Sequence, residues 1–124
     1  MNNRLMIALI TICLISAYTF FQITSPAPAP SQGISYTNDV RPILETRCAR
    51  CHMGTFTSAD LHIDSYEKLM AGSDNGPVII PGNANESLLV QKILNGEMPK
   101  RGPKLTPAEV QIIIDWINAG AGQD

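Results

Sequence analysis

The chain has 124 residues, of which 44% are hydrophobic, and its formal net charge at pH 7 is -2. This length corresponds to one folded domain at most. A net charge so close to zero argues against nucleic acid as a partner, because such binding requires a strongly basic surface. The three cysteines do not indicate a disulfide framework, since two share one short motif and Cys13 lies inside an apolar run.

The N-terminus has the pattern of an export signal. Arg4 stands before an apolar run that begins at Leu5 and ends at Phe21. Its length of about 17 residues reaches the lower limit for a membrane-spanning helix. We therefore expect residues 1–24 to be an uncleaved anchor, with a cleaved signal peptide as the alternative. In both cases, we expect the rest of the chain to be exported to the periplasmic face of the cytoplasmic membrane.

A spacer follows at residues 25–35, where Pro26, Pro28 and Pro30 alternate with small residues. Alternating prolines favour an extended polyproline conformation and block both helix and sheet. The spacer is expected to be semi-rigid, and a disordered stub is the alternative. The folded domain is then predicted to occupy residues 36–124.

The first helix is predicted to begin near Tyr36, because apolar residues then recur at spacings of three and four. Asn38 or Asp39 is the expected cap, and Pro42 falls in the first turn, where a missing N–H costs no hydrogen bond.

Three further helices are predicted from a capping residue at one end and a glycine at the other, at residues 64–72, 83–96 and 106–120. The last has the strongest signal, with Thr106 as the cap and Glu109 three residues later. The helix before it carries four apolar residues, Leu88, Leu89, Ile93 and Leu94, and the last helix has an apolar face made of Val110, Ile113, Ile114, Trp116 and Ile117. No alternating strand pattern is present, so the fold is predicted to be all-α, with about four short helices.

The chemistry is concentrated in the motif Cys48-Ala49-Arg50-Cys51-His52, which has the spacing of covalent haem attachment. Two thiols three residues apart on one helical turn can reach the two vinyl groups of one porphyrin, and His52 is then placed to bind the iron. The motif predicts one covalent haem c held by Cys48 and Cys51. A structural zinc site would need more ligands than the remaining His62 supplies, and a thioredoxin-like redox pair would need a βαβ setting.

The residues after the spacer resemble the small single-haem cytochrome c domains called planctomycete-type, within the class I cytochrome c fold. The matching segments are residues 36–44, 48–52, 61–66, 76–82, 86–89, 98–99 and 116–121. The resemblance implies an all-α domain whose N- and C-terminal helices cross over the haem. Lys100 departs from the pattern, which would have a second proline there.

Four residues beyond the apolar run could be the sixth ligand of the iron: Met53, His62, Met70 and Met98. Met53 adjoins the proximal histidine and cannot reach the opposite face of the ring. Met98 precedes the rigid Pro99, and the resemblance assigns the axial methionine to this position. We expect Met98 to be the ligand, while His62 and Met70 stay open. A histidine–methionine pair raises the reduction potential relative to two histidines and fills both axial positions.

An electron carrier is the function that these features predict, rather than an enzyme. The alternatives are a peroxidase-like haem enzyme and a cytochrome subunit of a larger oxidoreductase complex. A peroxidase needs an open distal site with acid–base residues beside it, and the chain offers no distal histidine–arginine pair and only one haem motif.

Two further sets of residues could act near the haem. The basic run Lys100, Arg101 and Lys104 suggests a docking rim for a redox partner protein that is acidic at its docking face, with a solvated loop as the alternative. Trp116 and Tyr66 are expected to be core aromatics, and packing on the porphyrin or donation to a propionate is the alternative.

Overall fold

A computed structural model of the chain describes residues 33–124. The expected membrane segment, residues 5–21, and most of the spacer lie outside the described residues. Among residues 33–124, no helix is both long enough and apolar enough to cross a membrane.

The described residues form helices joined by irregular connections, and no strand occurs among them. In chain order the elements are a π-helical turn at Tyr36–Val40, α1 at Arg41–Arg47, α2 at Ala49–His52, a 3-10 turn at Ser58–Asp60, α3 at Tyr66–Ala71, α4 at Leu88–Leu94 and α5 at Pro107–Asn118. The all-α prediction is confirmed for this part of the chain. The number of α-helices is five because the haem motif forms a short helix of its own.

The N-terminal cap differs from the prediction. Ser35, rather than Asn38 or Asp39, caps the first turn, and its hydroxyl accepts a hydrogen bond from the Asn38 N–H at 3.0 Å. Asp39 instead accepts from the backbone N–H of Ser35 at 2.8 Å. Ser35 and Asp39 thus each accept a hydrogen bond from a backbone N–H of the same turn. Serine, asparagine and aspartate are all common capping residues, so the sequence alone does not show which of them is the cap. Pro42 lies in the first turn of α1, as predicted.

The predicted start of α3 is wrong by one residue. Ser65 caps this helix and accepts from the backbone N–H of Lys68 at 3.2 Å. The Asp64 carboxylate accepts from the Lys68 ammonium at 2.8 Å instead.

Helix α4 begins later than predicted, at Leu88 rather than near Asn83. The Asn83 side chain closes a separate turn by accepting from the Glu86 N–H at 3.2 Å. Leu94, one of the apolar residues of this helix, is 62% exposed at the end of α4.

The predicted start of α5 is confirmed. The Thr106 hydroxyl accepts from the Glu109 N–H at 3.3 Å, and the Glu109 carboxylate accepts from the Thr106 N–H at 2.7 Å. Pro107 occupies the first turn, where its missing N–H is harmless.

The core joins the two ends of the described chain. Ile113, Trp116 and Ile117 of α5 are buried in one cluster with Tyr36 and Leu44. The rings of Tyr36 and Trp116 lie 5.6 Å apart between centroids. The N-terminal helical segment and the last helix therefore pack against each other, as the resemblance implies.

The aromatic side chains of Trp116 and Tyr66 belong to this core. The Trp116 indole donates to the carbonyl oxygen of Gly122 at 2.7 Å, and the Tyr66 hydroxyl donates to that of Ala121 at 2.8 Å. Both polar groups thus have backbone acceptors, as buried polar atoms require.

Candidate functional site

A cleft of about 1180 Å³, measured out to its open mouth, lies between the haem motif, α4 and the connections around them. Much of its wall is apolar and includes Leu44, Ile63, Val78, Leu89 and Ile93. Small-molecule and cofactor sites in proteins are concave and predominantly apolar, so this cleft is the candidate binding site.

Cys48 and Cys51 both line this cleft. One helical turn sets their spacing, because the N–H groups of Cys51 and His52 both donate to the Cys48 carbonyl oxygen at 3.1 Å. The turn is anchored in α1 by the Cys48 N–H, which donates to the Leu44 carbonyl oxygen at 2.8 Å. No disulfide bond joins these two cysteines.

Burial raises the pKa of the Cys48 thiol to about 11, and the neighbouring Cys51 thiol adds to this shift. At neutral pH the Cys48 side chain is therefore protonated. The reactive form in redox-active cysteine pairs is the deprotonated thiolate. No strand occurs among residues 33–124, so the βαβ setting of such pairs is missing from the described domain as well. A redox pair of the thioredoxin type does not fit this site.

His52 lines the cleft and is only 9% exposed. Its Nδ1 atom lies 3.3 Å from the carbonyl oxygen of Leu61. A carbonyl oxygen can only accept, so this contact requires the proton on Nδ1 and leaves the lone pair of Nε2 free for a metal. The backbone reinforces the contact, because the Ile63 N–H donates to the His52 carbonyl oxygen at 2.9 Å.

Met98 lines the same cleft from the connection between α4 and α5. Its backbone N–H donates to the carbonyl oxygen of Lys92 at 2.9 Å, and the next residue, Pro99, is buried. The chain thus brings Met98 into one cleft with the haem motif, about 50 residues away in sequence.

The other three candidates for the sixth ligand do not line the cleft. His62 lies in a separate depression, where its ring nitrogens are 3.3 Å from carboxylate oxygens of Asp60 and Asp64. Met70 packs against the apolar core, and Met53 is exposed directly after His52.

Five basic side chains and no acidic side chain line the cleft: Arg47, Arg50, Lys92, Lys100 and Arg101. The sequence indicated Lys100 and Arg101, because they are consecutive. The other three are scattered along the chain, and only the fold gathers them, although Arg50 could have been noticed inside the haem motif.

Two of these cations are neutralised by carboxylates. Arg47 pairs with Glu109 at 2.8 Å, and Lys92 pairs with Glu97 at 2.5 Å. Arg50, Lys100 and Arg101 form no salt bridge within residues 33–124. The cleft therefore keeps a positive rim in a protein whose total charge is slightly negative.

The residues present fit a covalently held haem. An apolar cleft accommodates the macrocycle, two thiols stand one helical turn apart, and a histidine keeps Nε2 free. The positive rim matches the anionic propionates. This combination of an all-α domain, a haem motif and an apolar cleft defines the cytochrome c class.

Residues 48–102 match the model of the family described as Planctomycete cytochrome C. The match begins at Cys48 and includes both His52 and Met98. This match supports a planctomycete-type cytochrome c domain, in agreement with the resemblance. No curated protein and no solved structure matches the chain.

Proposed function

We propose that the protein is an exported electron carrier with one haem, attached by thioether bonds to Cys48 and Cys51 and ligated by His52 and Met98. The observation that carries the proposal is the single cleft that these four side chains share, together with the positions of His62 and Met70 outside it. When bound, the haem iron supplies a one-electron couple.

The protein's contribution is to fix the ligands before the electron moves. The contact of His52 Nδ1 with the Leu61 carbonyl holds the imidazole in one tautomer and orientation. The Met98 thioether would favour ferrous iron and so raise the reduction potential. Because His52 and Met98 would both be held by the protein, a change in oxidation state would require little rearrangement of these side chains.

A peroxidase-like activity is less compatible with the cleft. Such chemistry needs an acid–base group beside an open distal position. Among the residues that line the cleft, His52 is the only histidine, and no aspartate or glutamate is present. The lining therefore favours electron transfer over substrate oxidation at the iron.

The redox partner that fits this protein is acidic at its docking face. Arg50, Lys100 and Arg101 make the mouth of the cleft positive, and electrons would leave through the haem edge exposed there. Charges at such a rim orient the encounter and raise the association rate more than the affinity. Residues 5–21 would hold the domain at the outer face of the membrane, on the evidence of the sequence alone.

Optical spectra of the purified haem protein test the ligand set. Oxidised protein should show the weak far-red band of sulfur-to-iron charge transfer, and Met98→Ala should abolish it and admit azide quickly. Met70→Ala and His62→Ala are matched controls that should keep the band. If the band survives in Met98→Ala but is lost in Met70→Ala, the ligand is Met70 rather than Met98. A wild-type spectrum without the band would leave His62 as the candidate.

A further inference from the structure

Met98 lies in the connection formed by residues 95–106. The ammonium group of Lys104, near the end of this connection, donates hydrogen bonds to its backbone. The Nζ atom of Lys104 donates to the carbonyl oxygen of Gly96 at 2.8 Å and to that of Pro99 at 2.5 Å. These two acceptors lie on either side of Met98 in the sequence. A single cation therefore spans the segment that presents the thioether.

The two carbonyl groups depend on this lysine. Within residues 33–124, no backbone N–H outside the helices donates to the carbonyl of Gly96 or of Pro99. Backbone carbonyls in a helix-free connection need a donor from a side chain or from water. An ammonium has three donors, and two of those of Lys104 are used here in charge-assisted hydrogen bonds.

Lys104 differs in this respect from the two basic residues that precede it. Lys100 and Arg101 line the cleft, and their side chains donate no hydrogen bond within the described part of the chain. Lys104 does not line the cleft, and its ammonium group donates to backbone carbonyl oxygens instead. The three residues look alike in sequence, but the fold gives Lys104 a separate role from the positive rim.

We propose that Lys104 is a positioning residue for Met98, which holds the backbone on both sides of it so that the thioether stays in the cleft. This inference rests on the proposed role of Met98 as axial ligand. Without the ammonium, the Met98 N–H bond to Lys92, the ion pair of Lys92 with Glu97 and the burial of Pro99 would remain to restrain the segment. The iron–sulfur bond would then have to offset the entropy of ordering the connection.

The test compares three variants of the full-length haem protein. Lys104→Leu removes the donors but keeps an apolar side chain, Lys104→Arg restores donors, and Lys68→Leu removes an equal charge from an exposed position outside the cleft. Azide should bind oxidised Lys104→Leu about tenfold faster than wild type, the ratio expected for the loss of a charge-assisted hydrogen bond. The far-red band should weaken in Lys104→Leu, recover at least partly in Lys104→Arg and stay unchanged in Lys68→Leu.

Hydrogen exchange at the Met98 amide gives a second readout that does not depend on the iron. Exchange should accelerate in Lys104→Leu and keep its wild-type rate in Lys68→Leu. Wild-type azide binding and exchange in Lys104→Leu, with the band still lost in Met98→Ala, would overturn the positioning role and leave the ligand assignment intact. A wild-type protein without the far-red band would overturn both.

Discussion

The guanidinium of Arg47 and the carboxylate of Glu109 form a bidentate ion pair that joins α1 to α5. Nη2 of Arg47 lies 2.8 Å from Oε1 and 3.0 Å from Oε2 of Glu109. The two side chains are only 18% and 21% exposed. Since Arg47 directly precedes Cys48 and Glu109 belongs to the Thr106 capping box, the pair connects the haem motif to the start of the last helix.

Glu109 gives a prediction for the pH dependence of stability. Its hydrogen bond from the Thr106 N–H, and then its contact with Arg47, lower the pKa of the carboxyl below the ordinary value of 4.5. A lowered folded-state pKa stabilises the protein above the unfolded pKa, and this stabilisation is lost as the pH falls through the folded pKa. Glu109→Gln should therefore be less stable than wild type at pH 7, and the difference should shrink below about pH 4.5.

Urea unfolding of the two proteins across this pH range measures the difference. Glu86→Gln is the control, because Glu86 is exposed and forms no salt bridge within residues 33–124. If Glu109→Gln lowers the free energy of unfolding equally at pH 7 and pH 3, the charge of Glu109 does not contribute to stability.

The positive rim predicts the salt dependence of electron exchange. Lys100→Glu combined with Arg101→Glu should slow electron exchange with an acidic partner by tenfold or more at low ionic strength, since steering changes association rates by about 10–10³. The effect should fall at 1 M salt, where the screening length is about 3 Å. Stopped-flow rates at several salt concentrations measure it.

The matched control for this experiment is Arg41→Glu with Lys68→Glu. These residues carry the same charge, are exposed and do not line the cleft. The haem spectrum should stay unchanged in both double variants. Equal rates for the two would place the docking face elsewhere on the protein.

The membrane anchor is tested by fractionation and by the intact mass. The protein should remain in the membrane fraction after a salt wash, because burial of an apolar segment does not depend on ionic strength. The mass should correspond to a chain that retains residues 5–21. A mature N-terminus within residues 25–33 would show that the segment is a cleaved signal and that the domain diffuses freely.

The sequence predicts best those features that depend on neighbouring residues. The capping box of Thr106 and Glu109 and the haem motif each lie within five residues, so their geometry follows from one helical turn. The other helix starts were less accurate, because Ser35 and Ser65 stand beside acidic or amide residues that cap equally well in isolation.

Tertiary features have no such local signal. Arg47 and Lys92 reach the cleft only because α1 and α4 face it, and their carboxylate partners are set by the fold. The role of Lys104 is invisible in sequence, since its acceptors are backbone carbonyls, which every residue possesses. The position of His62 between Asp60 and Asp64, away from the cleft, likewise has no local signal in the sequence.

The mass of the denatured protein shows whether Cys48 and Cys51 hold one haem covalently. The full-length chain, produced in cells that export and mature c-type cytochromes, is compared with a Cys48→Ala and Cys51→Ala double variant after acid–acetone extraction. Wild type should keep the mass of the chain plus one haem, and the double variant should have the mass of the chain alone. A wild-type chain that loses its haem to the solvent, or that never carries one, would contradict the account.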